Sequence, residues 1–342
     1  MSAYRYRCAM PPQQPPSPAT GLTVARPRLS GTTLGMFAIV VPIWLLSLVV
    51  VALPAIGAAL LAGWRPALAV VVACGLWTVS AVLVLTRPVE ALLARLLFHG
   101  VHRPDPTDLA RIGRALQAVC RRAGADPGRY LLRIQESPQV NGFALGGHTL
   151  AVTRVALQLP DPMLEAVVAH EVGHHRHLHP LAIILGWWFL LPFEAAERLQ
   201  RAIRRVTRWL ARAYARLRDQ TAGARAADGA IGMVVLLVLL GVLVAVGTLL
   251  AVALALLWLP LWLLVRLARV LGAALSRAGE YAADRHAVEL GYGPGLVWVL
   301  ERFALAERSA PRPRGLAALL RSHPTSQARL LAVGRAGPAG PA

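Results

Sequence analysis

Arginine supplies all the basicity of this 342-residue chain: the 36 basic residues include no lysine, and against 17 acidic ones they leave a formal charge of +19. The chain is also 56% hydrophobic, with a mean hydropathy of +0.53, and its apolar residues fall in long uncharged blocks. That disfavours an ordinary soluble domain and reads as an integral membrane protein with cationic flanks.

No nucleic-acid partner is expected, because no compact basic domain with interleaved aromatics and no recognition helix is visible. Cys8, Cys74 and Cys120 are scattered without a CxxC pair, so neither a disulfide framework nor a thiolate metal site is expected. Any metal must be held by histidine and carboxylate.

Residues 1–30 are proline-rich and carry Arg5, Arg7, Arg26 and Arg28 without an acid. This composition predicts a disordered basic tail, kept on the cytoplasmic side by its charge. No short apolar core begins before residue 30, so a cleavable signal peptide is not expected. From Leu29 to Trp64 no side chain is charged, enough for one span of about 20 residues. Pro42 and Pro54 would kink it without breaking it. Arg65-Pro66 turns the chain, and a second uncharged run from Pro66 to Thr86 returns it to Arg87. Residues 31–86 therefore read as a transmembrane hairpin with both ends in the cytoplasm.

Residues 87–160 are soluble in character, and residues 87–180 are expected to form the first part of a domain completed later in the chain. Thr107 to Ala123 has an amphipathic helical pattern rich in arginine, and Gly124 to Gly128 reads as a turn. Tyr130 to Ile134 and Thr149 to Val155 look like short strands. The glycines of the intervening Gln135–His148 segment permit close backbone approach. A short exposed strand there can bind an extended peptide by β-augmentation, or be an ordinary hairpin.

Asp161-Pro162 is expected to start a helix, with Asp161 as N-cap, proline at the first helical position and Glu165 near the positive end. That helix carries His170-Glu171-Val172-Gly173-His174, an HExxH motif. Residues four apart share a helix face, so both imidazoles can reach one metal ion, and Glu171 stands where it can deprotonate a bound water. Two nitrogen ligands, an adjacent base and an open coordination position are what a zinc peptidase needs. His175, His177 and His179 keep open the reading of a solvated polar face, so a third ligand must decide.

Leu181 to Phe193 is an apolar run of thirteen residues, short for a span unless it extends the catalytic helix. Glu194 to Asp228 carries nine arginines against four acids, with Arg201, Arg204, Arg205, Arg208 and Arg212 at helical spacings. That pattern suits a helix lying on an anionic membrane surface, or a solvated linker. Gly229 to Val265 is a third uncharged block, 37 residues long. As a straight helix it would cover about 55 Å against a hydrocarbon core of about 30 Å. It must overhang the membrane or fold back near Gly241, Gly247 or Pro260.

Arg266, Arg269 and Arg277 mark the return to the second part of the domain, residues 266–335, before a tail at 336–342 expected to be disordered. Glu280 and Asp284 lie four apart on a predicted helix from Arg277 to Gly291. A carboxylate from a second helix completes a set of two histidines and one glutamate, and Asp284 can then hydrogen-bond a ligand histidine. Ligands on one side of the membrane require an even number of crossings between His174 and Glu280. Either Leu181–Phe193 and Gly229–Leu259 each cross once, or the long block is a hairpin by itself.

HEVGHHRHLH followed about a hundred residues later by EYAADRHAVELG resembles the HtpX and CAAX prenyl protease family of membrane zinc metallopeptidases, of the gluzincin type. SPQVNGFALGGH resembles the family's strand before the catalytic helix, and Ser322-His323-Pro324 with Arg329 resembles its C-terminal motif. The resemblance covers roughly residues 100 to 332. It implies a mainly α membrane protein with a zincin-like α+β catalytic domain and about four transmembrane helices.

The resemblance further implies one zinc ion per chain held by His170, His174 and Glu280, with Glu171 as general base and Asp284 behind the ligands. Asn141, Gly142, Phe143, Ala144 and Arg329 are implied to contact substrate, and His323 to stabilise the oxyanion. Gly142 stands where the family usually has alanine, a difference expected to matter little. The long arginine-rich linker is a larger departure and bears on topology. The expected activity is endopeptidase cleavage of peptides or membrane proteins at the cytoplasmic face of the cell membrane, in membrane protein quality control, with membrane lipids as the surroundings. A prenyl-type processing protease, a signalling protease and a scaffold with structural zinc are the alternatives. The all-arginine, alanine-rich composition points to a GC-rich bacterial source.

Overall fold

The computed structural model of the chain describes residues 30–222, 230–308 and 323–335. The two expected disordered tails, residue 30 apart, lie outside the described residues, as do Ser322, Asp228 and Gly229.

The uncharged N-terminal blocks become α1 (Gly31–Ala62) and α2 (Pro66–Val84). The Ser30 side chain accepts from the Thr33 amide at the start of α1, left-handed Gly63 closes it, and Pro42 and Pro54 lie within it. Indole–hydroxyl bonds fasten the pair: Trp77 Nε1 donates to Ser47 Oγ at 2.9 Å and Trp44 Nε1 to Thr78 Oγ1 at 3.3 Å. Such bonds suit apolar surroundings, where water offers no competing partner.

The catalytic part is built from α3 (Arg87–Leu97), β1 (Val101–His102), α4 (Pro106–Ala123), β2 (Leu131–Gln135), β3 (Gly142–Leu145), β4 (Thr149–Thr153), α5 (Arg154–Leu157) and α6 (Asp161–Arg176). The sheet order is β1-β2-β4-β3. The two strands read from sequence, β2 and β4, run parallel, with Ile134 opposite Val152. Between them in sequence, β3 pairs antiparallel with β4, Phe143 opposite Ala151, and forms an edge. Asp161 lies in the first turn of α6 rather than capping it; Pro160 holds the cap position.

Two long helices follow, α7 (His179–Ala222) and α8 (Ala230–Glu289). They run antiparallel: Gly247 faces Thr207, Gly241 faces Tyr214, and Arg269 Nη2 lies 3.4 Å from Glu194 Oε1. The anticipated fold-back near Gly241, Gly247 or Pro260 does not occur. Pro260 lies inside a helix of 60 residues, about 90 Å long at 1.5 Å per residue, and both glycines serve as contact points for α7. An unbroken helix keeps its backbone groups paired in apolar surroundings, which a turn would not. The arginine-rich stretch is likewise no separate surface helix, because it continues α7 with Arg201, Arg204, Arg205, Arg208 and Arg212 exposed. Among the described residues, five stretches are long and apolar enough to cross a membrane: α1, α2, His179–Arg216 of α7, and Val234–Ala253 and Trp258–Glu289 of α8.

The chain ends in α9 (Gly293–Arg308) and a last helix α10 (Ser326–Arg335). One apolar core joins the two halves of the domain. Leu116 and Val119 of α4, Ile134 of β2, Leu150 of β4, Leu164 and Val168 of α6, Leu300 of α9 and Val333 of α10 pack together. That core holds α6 and the C-terminal end of α8 side by side.

Candidate metal centre

Two glycines let the helices carrying the motif residues approach closely. A Cβ at Gly173 of α6 would lie 3.0 Å from Ala283 Cα of α8, so only glycine permits this crossing without displacing backbone. Near the start of α6, a Cβ at Gly295 of α9 would lie 2.6 Å from the Pro162 carbonyl oxygen. The result brings His170, His174 and Glu280 together, all three buried.

His170 Nε2 and His174 Nε2 are 3.2 Å apart, His174 Nε2 is 3.3 Å from Glu280 Oε1, and His170 Nε2 is 3.5 Å from Glu280 Oε2. Three ligands placed tetrahedrally at about 2.0–2.1 Å from zinc would stand about 3.3 Å from one another. Glu280 Oε2 is ion-paired with Arg329 Nη1 at 3.0 Å but is a buried acceptor that receives no hydrogen bond. Donor types, spacing and the unsatisfied oxygen all fit a divalent cation of the zinc kind.

Behind the ligands, Asp284 Oδ1 is 2.9 Å from His170 Nδ1, the relation read from the four-residue spacing. Burial and Arg329 oppose the charged form of His170, yet the Asp284 and Glu280 carboxylates outweigh them and raise its pKa to about 10. Burial also pushes the Glu171 carboxyl upward, against the pull of His170 and His174, toward the range in which a carboxyl can exchange a proton near neutral pH.

His175 faces the other way, its Nε2 3.0 Å from the Thr149 carbonyl. Burial lowers its pKa to about 3, so the neutral ring donates and ties α6 to β4.

The remaining sequence candidates divide. Asn141 donates its amide to Thr153 Oγ1 at 3.0 Å. Gly142, Phe143 and Ala144 form β3 alongside α6. A Cβ at Gly142 would lie 3.0 Å from both Glu171 Oε1 and Val167 Cγ1, so a methyl there would touch the acid. His323 is 67% exposed, with Nδ1 2.8 Å from Glu280 Oε1 on the open side of the cluster. Arg329, expected at the substrate, is buried instead: Nη2 and Nε reach Asp284 at 2.6 and 2.8 Å.

His179 has a place here that spacing did not reveal. Its Nδ1 is 3.2 Å from His174 Nδ1, and its ring fills the space left by Gly279, where a Cβ would collide with it. Five residues after His174 it is off the helical period. Leu178, with φ 56°, makes the left-handed turn between α6 and α7 that brings it back.

Over 80 residues, 22% of this chain and 21% of the relative, the chain is 42% identical to a protease HtpX homolog of Pyrobaculum islandicum. The solved structure of S. mikatae Ste24p is similar at a TM-score of 0.44 and 18% identity, over 88% of this chain and 64% of that one. The chain thus matches about a fifth of the first relative and under two thirds of the second. The model of Peptidase family M48 matches residues 106–336, a stretch that runs from α4 through α10 and holds His170, Glu171, His174 and Glu280. With well over half its length matched, the chain belongs to Peptidase family M48.

Proposed function

We propose that this chain is a zinc-dependent endopeptidase of the cell membrane, hydrolysing peptide bonds at the cytoplasmic face in membrane protein quality control. The observation that carries the reading is the convergence of three buried ligand atoms at 3.2–3.5 Å with Glu171 beside them.

His170, His174 and Glu280 would hold one zinc ion, which when bound supplies Lewis acidity and lowers the pKa of water toward about 7. Glu171 takes the proton of the attacking water and returns it to the leaving amine. His323, on the exposed side, donates to the developing oxyanion. The substrate lies extended along Asn141–Ala144, pairing with the edge of β3 that no described strand covers. Arg329 holds Asp284 and Glu280 in place instead of touching substrate. The basic N-terminal segment and the arginines after α2 keep the site cytoplasmic.

The test is zinc content and casein cleavage of the detergent-purified full chain beside Glu171→Gln. Zinc in both, with cleavage only in the wild type, is expected. Zinc in both and cleavage in neither would overturn the peptidase reading in favour of a structural ion, and zinc in neither would remove the site.

A further inference from the structure

Glu90, on the first turn of α3, is fully buried and takes no part in the ligand set. Its carboxylate accepts from the Gly147 amide at 2.6 Å and the His148 amide at 3.1 Å. The His148 Nδ1 lies 3.3 Å away and the Thr149 hydroxyl 3.4 Å. The Gly147 and His148 donors belong to the turn between β3 and β4, and the Thr149 hydroxyl to the first residue of β4. Gly146 has φ +60°, and a Cβ there would collide with the carboxylate, so the Gly146-Gly147 pair is shaped around Glu90.

The other end of α3 grips the same strand. Phe98, which follows its last turn, stacks on Phe143 of β3 with ring centroids 4.2 Å apart and planes at 17°. The helix that follows directly on α2 is therefore attached by its first turn to the β3–β4 turn and, just past its last turn, to β3 itself.

Stability alone does not explain a carboxylate here. Burying one costs several kcal/mol before its bonds offset the loss, and well-packed apolar groups in place of buried charge are often at least as stabilising. An apolar residue cannot orient two backbone amides, which a charge-accepting carboxylate does. We infer that Glu90 is a positioning residue for peptide binding: it locks the Gly146-Gly147-His148 turn and so holds the free edge of β3 where a substrate strand meets Glu171.

This rests on the reading of β3 as the substrate strand, so the experiment separates the two. KM and kcat are measured for a nested series of fluorogenic peptides, on full-length wild type, Glu90→Gln and the milder His148→Ala, with metal content and thermal midpoint alongside. In the wild type KM should fall as the peptide lengthens along β3.

Glu90→Gln should lose that gain, raising KM for the longest peptide about tenfold while kcat stays within about twofold and metal content is unchanged. His148→Ala should raise KM in the same sense by about threefold, and carries the test if Glu90→Gln does not fold. A wild type indifferent to peptide length overturns the β3 reading itself. Retention of the full length gain in the variants, or loss of kcat and metal with KM unchanged, overturns the role of Glu90 and leaves β3 standing.

Discussion

Gly142 lies directly against Glu171: a Cβ added to the strand residue would stand 3.0 Å from both Cγ and Oε1 of the acid. The edge strand and Glu171, the proposed base, are thus neighbours, and a side chain at 142 would press on the carboxylate. Gly142→Ala should push Glu171 by a few tenths of an ångström. Displacements of about 1 Å can cost about a hundredfold in rate, so a fall in kcat of roughly three- to tenfold is expected, with KM and metal content unchanged. Gly142→Val should lose more. Equal kcat for alanine and glycine would mean that Glu171 relaxes freely, and the contact would have no catalytic weight.

That contact shows which parts of the site were legible beforehand. His170, Glu171 and His174 are local, and one helical repeat puts them on one face, so periodicity alone places them. Glu280 and Asp284 share a face of α8 by the same rule. Their meeting with α6 depends on Gly173 and Ala283, which no local signal pairs. Gly142 looked neutral because its neighbour across space is on another element. The burial of Arg329 is likewise a tertiary fact; its motif says nothing of which way the side chain faces. Gly241 and Gly247 suggested a break by composition, whereas the continuous helix satisfies its own backbone and uses them as contacts. Sheet order was hidden because the parallel register of β2 and β4 is set by their common packing on α4 and α6.

His179 should tune the metal site through His174. When His174 gives Nε2 to a cation, its Nδ1–H donates to Nδ1 of His179, 3.2 Å away, fixing tautomer and ring orientation. Removing such an outer partner typically weakens metal binding about 10–100-fold. His179→Ala should show that loss in competition with a zinc chelator. Gly279→Ala should mimic it, since the new methyl would displace the imidazole. Unchanged zinc affinity in both variants would reduce His179 to a packing residue.

Cys120 on α4 is 1% exposed, and burial pushes its thiol up to about 12. The fold therefore favours the neutral thiol over the thiolate. The sign follows: the contribution is fully present below the unfolded-state pKa of about 8.5 and is lost as pH rises from there toward 12. Native protein should resist maleimide at Cys120 at pH 8 and react once denatured. The thermal midpoint should fall between pH 9 and 11, and less steeply in Cys120→Ala. Rapid labelling at Cys120 itself in the native protein at pH 8, read by peptide mapping to separate it from Cys8 and Cys74, would contradict the packing of α4 on α6.

Arg329 is a buried cation held by two carboxylates. It is 8% exposed and reaches two carboxylates on α8, Asp284 at 2.6 and 2.8 Å and Glu280 at 3.0 Å. Removing one partner from such a buried cluster leaves an uncompensated charge and costs about 3–5 kcal/mol. Arg329→Met should therefore lower the thermal midpoint by roughly 6–20 °C. Arg329→Lys should recover only part of the loss, because a single ammonium cannot present the planar fork that spans both Asp284 oxygens. A bound cation compensates Glu280 but not Asp284, so the gap between Arg329→Met and wild type should widen after chelation. If the Met variant instead keeps its midpoint and loses only peptide affinity, Arg329 acts at the substrate, as its motif first suggested, and its buried pairing is incidental.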